Sequence, residues 1–420
     1  MLLLVAGTSV CLPTIADRYR NRALTPPPYQ ADPDAQRLHE GLLIADLHAD
    51  SLLWNRDPLK RHGYGHVDLP RLQEAGVELQ VFSVVTKVPY GADLDENPGD
   101  SDMLTLLTVL QGRPPRTWSS LLERALYQGE QLKAAVRASA GALKLITTQR
   151  ELEELLSAQR RGEPVIGALL ALEGAHALEG ELAHLDQLYA QGYRMVGLTH
   201  HFDNTVAGSA QGIEKGGLTA LGRQVIRRAQ DHGMVIDLAH ASPRAIDDVL
   251  AMATKPVIAS HTGVRGTCDT VRNLSDRHVQ GIAATGGVIG IGLFEWAVCG
   301  DGIEDTVKTM RYAADLVGVE HIALGSDFDG ATTTFVDVTG LVLLTQAMLE
   351  AGFSQQEIAA ILGGNVLRVL RQTLPDTQPV VKNKVFQQPA ISGRALPIRD
   401  AKPDIHSPAL TRRFSQTNPL

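Results

Sequence analysis

Short apolar runs rich in Val, Ile and Leu recur along the chain: LLIADLH, VELQVFSVV, PVIGALLALEG, YRMVGLTHH, MVIDLAH, PVIASHT, GGVIGIGLF and HIALGSDFDG, eight in all. Runs this continuous, with little alternation of apolar and polar residues, suit strands buried on both faces, as in a parallel sheet. Between most of them the apolar spacing changes to a helical period. GLTALGRQVIRRAQDHG precedes the fifth run, and SPRAIDDVLAMA follows it with Ser-Pro as a helix start. SDRHVQGIAAT precedes the seventh run, DTVKTMRYAADLVG the eighth, and SQQEIAAILGGNVLRVLRQ closes the domain. The interval from Asp100 to Arg161 reads as extra helices without a strand. Strands alternating with helices in this way predict an α/β fold, a (β/α)8 TIM-type barrel with extra helices. A doubly wound open sheet is the alternative, and the lack of a GxGxxG after the first strand weakens it.

The flanks of the chain have a different character. Residues 1–22 are apolar and then basic. The apolar part is shorter than the roughly 20 residues that span a bilayer and lacks the basic start of a standard signal peptide. It reads as an export signal or an N-terminal anchor, with a helix packed on the domain as the alternative. Export or anchoring places the protein in the cell envelope; the packed helix would leave it cytoplasmic. ALTPPPYQADPDAQ, residues 23–36, reads as a proline-rich linker. From about Pro375 to Leu420 the chain is rich in Pro, Gln, Ser and Thr with no apolar period, as in a disordered tail. The expected division is an N-terminal segment and linker over 1–36, a barrel domain over 37–374 and a low-complexity tail over 375–420.

Composition narrows the partners. A net charge of −8 over 420 residues argues against nucleic acid, which needs a basic face. Cys11, Cys268 and Cys299 are too few and too scattered for a disulfide framework or a structural zinc site. A single Cys268–Cys299 bridge is compatible with the sequence, but nothing in the composition decides the redox compartment.

In a barrel, chemistry occurs at the C-terminal ends of the strands, and here those ends carry a pattern. Asp46, His48 and Asp50 alternate at the end of the first run, so a strand would turn all three to one face. The second run ends near Lys87, the third in Glu173 with His176 just beyond, and the fourth in His200 and His201. The fifth ends in His240, the sixth in His261 and the eighth in Asp327 and Asp329. One histidine after a strand is usually a loop residue, and one carboxylate there is usually a helix cap. A ring of both around one mouth is different, because buried like charges repel unless a cation compensates them. Imidazole and carboxylate donors without a Cys set suit zinc and admit manganese or cobalt. The donors exceed the three protein ligands of a usual catalytic zinc, and two metals sharing one carboxylate use them economically.

The pieces DLHAD, ALEGAH, GLTHH, IDLAHAS, IASHTG, VRNL and GSDFDG occur in this order between Leu42 and Gln372. In these motifs the chain resembles the membrane dipeptidase (renal dipeptidase) family of the amidohydrolase superfamily. The resemblance implies two zinc ions per chain. One would be held by His48 and Asp50, a second by His240 and His261, with Glu173 bridging both. It implies His200 against the substrate carbonyl, Arg272 on the substrate's C-terminal carboxylate and Asp327 handling the proton. Lys87 competes for the bridge, since some related barrels bridge metals through a carboxylated lysine. Asp329 competes for the proton-handling role. Two segments depart from the family pattern. FDNTVAGSAQG follows GLTHH without the tryptophan-bearing loop of the animal enzymes, and Phe294, Glu295 and Trp296 stand where a tyrosine or asparagine would face the substrate. Both touch the substrate pocket rather than the metals.

The expected protein is therefore a binuclear zinc dipeptidase. Its substrates would be small dipeptides with a free carboxylate, D-residues at the second position included. Membrane association through the N-terminus and a homodimer are the other partners expected. The alternatives are another amidohydrolase, such as an N-acyl amino acid deacylase, and a non-catalytic binding protein.

Overall fold

Eight parallel strands close on themselves. In the computed structural model, which describes residues 12–377, β1 (Ile44–Ala49) pairs with β2 (Val77–Val85). A short strand β3 (Leu143–Leu145) follows in the chain, but β2 pairs past it with β4 (Ile166–Glu173). The order then runs through β5 (Tyr193–Gly197), β6 (Val235–Asp237), β7 (Val257–Thr262), β8 (Val288–Ile291) and β9 (Ile322–Leu324). β9 pairs back onto β1 and closes the barrel. Every residue of β1 and of β4 to β9 is buried. The unbroken apolar runs arise from this double burial, core inside and helices outside.

β3 corrects the expectation that Asp100–Arg161 holds no strand. It pairs only with β4, outside the closed ring. Three residues are too few to show a period, so it escaped the pattern. The rest of that interval is helical, dominated by the helix Leu121–Ala138.

Helix starts follow local chemistry. Ser242 caps the helix Pro243–Leu250 by accepting from the Ala245 N–H at 3.0 Å, with Pro243 in the first turn. The closing segment forms two α-helices, Gln355–Ala359 and Asn365–Thr373, joined by a π-turn over Ala360–Gly364. The barrel also closes tightly. A methyl group on Gly290 or Gly325 would meet the Ser260 carbonyl at 2.1 or 1.8 Å, so glycine lets β8 and β9 approach β7.

The segment before the barrel lies against it. Residues 12–20 are helical, and Asp17 is buried in an ion pair with Arg56 at 2.9 Å. Leu24 and Thr25 donate backbone hydrogen bonds to Thr334 and Phe335, and the Tyr29 hydroxyl accepts from the Asp337 N–H. Residues 1–11, where most of the expected signal or anchor falls, and the tail beyond residue 377 lie outside the described residues. No helix among the described residues is long and apolar enough to cross a membrane. Cys268 and Cys299 form a disulfide.

Candidate active site

The C-terminal ends of the strands converge on Glu173, the last residue of β4. Its two oxygens face two different groups. Oε2 lies 3.6 Å from His48 Nε2, which in turn lies 3.5 Å from Asp50 Oδ2 and 4.0 Å from Asp327 Oδ1. Oε1 lies 3.1 Å from His240 Nε2, 3.4 Å from His261 Nε2 and 3.7 Å from His200 Nε2. His240 Nε2 and His261 Nε2 are 3.0 Å apart. All but Asp327 are buried, and the Asp327 side chain is 15% exposed. The backbone is strained here: His240 and Asp327 both have φ near +63°, a left-handed conformation that non-glycine residues rarely adopt outside functional sites.

The electrostatics match a site built for cations. Burial alone would lower the His48 pKa, but Asp50 and Glu173 outweigh it and raise the imidazole well above its usual value. Burial, then Asp50, raises Glu173, and burial raises Asp327 well above the usual carboxylate range. Burial lowers His200, His240 and His261 well below theirs, which keeps these imidazoles neutral. Neutral imidazoles are the metal-binding form. His48 Nε2 and Asp50 Oδ1 are buried without a hydrogen-bond partner. His48, Glu173 and His261 offer three ligand atoms within 4.8 Å of one another, and so do His48, Asp50 and Asp327. Buried donors with lone pairs facing one another fit divalent cations and make poor hydrogen-bond partners for each other.

Arg272 stands beside this cluster. It donates to the His261 carbonyl at 2.6 Å and to Thr262 Oγ1 at 3.3 Å. Its charge reaches Asp327 and Glu173.

Several residues that the strand ends made candidates are engaged elsewhere. Asp46 does not join His48 and Asp50. Its carboxylate accepts from the Ser326 N–H and hydroxyl and from Gln80 Nε2, all at 2.7–2.8 Å. The alternation ends because Asp50 lies past the strand, at the start of a 3-10 turn. The Lys87 ammonium donates to the Gly99 carbonyl at 2.6 Å and sits over the Phe202 ring. Phe294 is buried in the core, whereas Trp296 is 49% exposed.

Asp329 lies in the turn beyond β9 and is tied to the segment that follows β1. It accepts from Ser51 Oγ at 2.6 Å and from the His66 N–H at 2.7 Å, and pairs with Arg56 at 2.6 Å. Burial works against its charge, but Arg56 prevails and its pKa falls to about 2. Asp17, sharing the same guanidinium, moves the other way because burial outweighs Arg56 and Asp329 repels it. Asp329 is the better-held partner, with the shorter ion pair and more donors. A depressed pKa stabilises the fold above the unfolded value near 4, and that stability is lost as pH falls toward 2. Asp329→Asn should therefore destabilise the protein at neutral pH by about 3 kcal/mol, the scale of breaking a buried pair. Thermal unfolding at pH 7 and near pH 3 checks this, with the gap between parent and variant narrowing at the lower pH.

Three further neighbours complete the surroundings: His201, which the strand ends marked without a specific role, and Gln211 and Ser260, which they did not mark. His201 is half-buried with its ring 4.0 Å from His200. Gln211 accepts from His240 Nδ1 at 3.1 Å. Ser260 Oγ lies 2.8 Å from His261 Nδ1 and 3.3 Å from His48 Nδ1. Gln211 sits in a loop with no sequence period, and Ser260 shows only as one polar residue in an apolar run.

Comparison with known proteins places this arrangement. The profile of the membrane dipeptidase family, peptidase family M19, matches residues 33–379. The chain belongs to that family. Membership makes it a metal-dependent hydrolase acting on peptide bonds, a dipeptidase with a clustered two-metal site. Among its relatives is an uncharacterized protein in the pqqA 5' region of Klebsiella pneumoniae, 32% identical over 57% of this chain and 92% of the relative. Another is the dipeptidase aclJ of Aspergillus oryzae, 32% identical over 51% of this chain and 55% of the relative. This chain thus spans about half the length of the fungal enzyme.

Solved structures share the fold. The probable dipeptidase PvdM of Pseudomonas aeruginosa matches with a TM-score of 0.68 at 22% identity, over 81% of this chain and 98% of that one. A metallo peptidase of Rhodobacter sphaeroides, liganded with a phosphinate mimic of the dipeptide L-Ala-D-Ala, matches with a TM-score of 0.66 at 24% identity. That match covers 79% of this chain and 99% of the other.

Proposed function

We propose that the protein is a two-zinc dipeptidase in which His48 and Asp50 hold one ion, His240 and His261 hold the other, and Glu173 holds both. The observation that carries this reading is the split of the Glu173 carboxylate, one oxygen toward His48 and the other toward His240 and His261. A carboxylate can bind one cation through each oxygen, whereas a neutral imidazole has one lone pair to give. Nitrogen and oxygen donors without thiolate favour zinc among the common catalytic ions. Two cations held there would lower the pKa of water and polarise a carbonyl oxygen.

The chain's own groups do the rest. Asp327 stands beside the His48 group, and among the described residues no protein donor holds its carboxylate. It takes the proton of the attacking water and returns it to the leaving amine. His200, kept neutral by burial, donates a hydrogen bond to the carbonyl oxygen as that oxygen gains charge. Arg272 donates two parallel hydrogen bonds to the substrate's C-terminal carboxylate. Dipeptides with a D-residue second belong to the expected substrates, as the ligand of the Rhodobacter sphaeroides relative suggests. The Cys268–Cys299 disulfide supports an oxidising compartment, in keeping with export to the cell envelope. Membrane attachment through the N-terminus and assembly as a homodimer belong to the same reading.

The experiment is a comparison of a free dipeptide with its C-terminal amide and with its N-acetyl form. The free acid should be the best substrate, because the amide offers Arg272 only a neutral group. An N-acetyl form that is hydrolysed faster than the free dipeptide would instead favour a deacylase. Arg272→Met should lower kcat/KM for the free acid and shrink the acid-to-amide ratio, with metal content unchanged. An ionic hydrogen bond in a water-poor site contributes about 1.5–3 kcal/mol, or roughly 10- to 100-fold. An unchanged ratio would clear Arg272 of this role and make Arg265 the next residue to test.

A further inference from the structure

The outer nitrogens of the three proposed ligand histidines, His48, His240 and His261, each meet a polar group, and one of those groups is shared. Ser260 is fully buried on β7, with its hydroxyl oxygen between His261 Nδ1 at 2.8 Å and His48 Nδ1 at 3.3 Å. The two ring centroids lie 3.7 Å apart, with the planes tilted by 40°. Their other nitrogens point at opposite oxygens of Glu173, His48 Nε2 at Oε2 and His261 Nε2 at Oε1. We propose that Ser260 is a positioning residue for both halves of the metal site: its one hydroxyl accepts from the Nδ1–H of His48 and of His261, and so turns the lone pair of each Nε2 toward Glu173. This rests on the ligand assignment above.

The chemistry of the groups supports the shared role. A serine oxygen has two lone pairs, enough to accept two N–H bonds. A histidine that donates from Nδ1 must carry its free lone pair on Nε2, so the outer partner fixes which nitrogen binds a metal. Geometry holds the serine in place. Its backbone N–H donates to Asp237 Oδ1 at 2.8 Å, and Gly290 and Gly325 let the neighbouring strands close on its carbonyl.

The remaining ligand histidine provides an internal comparison. His240 Nδ1 lies 3.1 Å from Gln211 Oε1. The amide cannot be reversed, because its Nε2 donates to the carbonyls of Asp93 at 3.4 Å and Leu94 at 3.2 Å. Gln211 therefore accepts from His240 and serves one half of the site, whereas Ser260 serves both.

The test is stepwise zinc binding by the full chain, stripped of metal and titrated against a competing chelator. Outer partners of metal-bound histidines typically contribute about 10- to 100-fold in affinity. Ser260→Ala should weaken both binding steps by about that factor. Gln211→Met, which keeps the length and loses the acceptor, should weaken one step and leave the other within about two-fold of the parent. Gln211→Glu, which keeps an acceptor oxygen, should restore that step. Thermal unfolding of the metal-free variants separates these effects from general damage and should match the parent closely. If Ser260→Ala does not fold, Ser260→Cys, similar in size with a weaker acceptor, takes its place with the same expected loss at both steps. The visible spectrum of the cobalt-substituted protein gives a second readout and should change at both sites in the serine variant. Two unchanged steps in a folded Ser260 variant would overturn the proposal, and so would loss confined to one step. A parent protein that binds only one zinc would instead overturn the ligand assignment, so the two failures are distinguishable.

Discussion

Asp327→Asn should retain its metals and lose turnover by about 10²–10⁴-fold, the usual contribution of a positioned general acid–base group. The carboxamide is nearly the size of the carboxylate and can still accept a hydrogen bond, but it cannot take up a proton at neutral pH. The Asp327 carboxylate lies 4.0 Å from His48 Nε2 and keeps some access to solvent. It also falls in one donor group with His48 and Asp50, which makes it a rival ligand as well as a base. The variant separates the two roles. Loss of turnover with full metal content assigns the proton-handling role, loss of a metal assigns a ligand, and activity within a few-fold of the parent assigns neither. Asp329, two residues on, is a poor control for chemistry, since its replacement breaks the buried contact with Arg56 and acts on stability.

Glu173→Ala should lose both metals together and reduce hydrolysis to background. No other carboxylate in the cluster presents one oxygen to each histidine group. Removing it deletes a ligand of each ion at once and leaves two imidazoles on one side and His48 with Asp50 on the other. The metal-free variant should be no less stable than the metal-free parent, because a buried carboxylate that burial and Asp50 both disfavour has been removed. Metal analysis after dialysis, together with thermal unfolding, checks this. Retention of one ion at parental affinity would move the bridge to another residue. Glu173→Gln, whose amide offers a single oxygen, should keep at most one ion.

The barrel was legible in the sequence because burial on both faces writes uninterrupted apolar runs, and β1 and β4 to β9 are buried throughout. β3 was not, since three residues on one edge of β4 carry no period. At the mouth, His48, Asp50, Glu173, His200, His240, His261 and Asp327 could be marked because each stands at or just past a strand end, where a barrel gathers side chains. The same rule overreached at Asp46, which Ser326 and Gln80 hold inside the barrel, and left Asp327 and Asp329 unresolved. Only the tertiary partners separate those two, since Arg56, Ser51 and the His66 amide all meet Asp329. The outer partners Ser260 and Gln211 were illegible for a related reason. A serine within a strand or a glutamine in a loop has no spacing that shows which nitrogen it will meet across the fold.

The account turns on two cations sharing one carboxylate, and a joint titration tests it most directly. Metal-stripped protein is titrated with zinc while bound metal and hydrolysis of a free dipeptide are followed together. Two ions per chain should bind, with full activity reached only as the second site fills. Saturation at one ion per chain with full activity would contradict it.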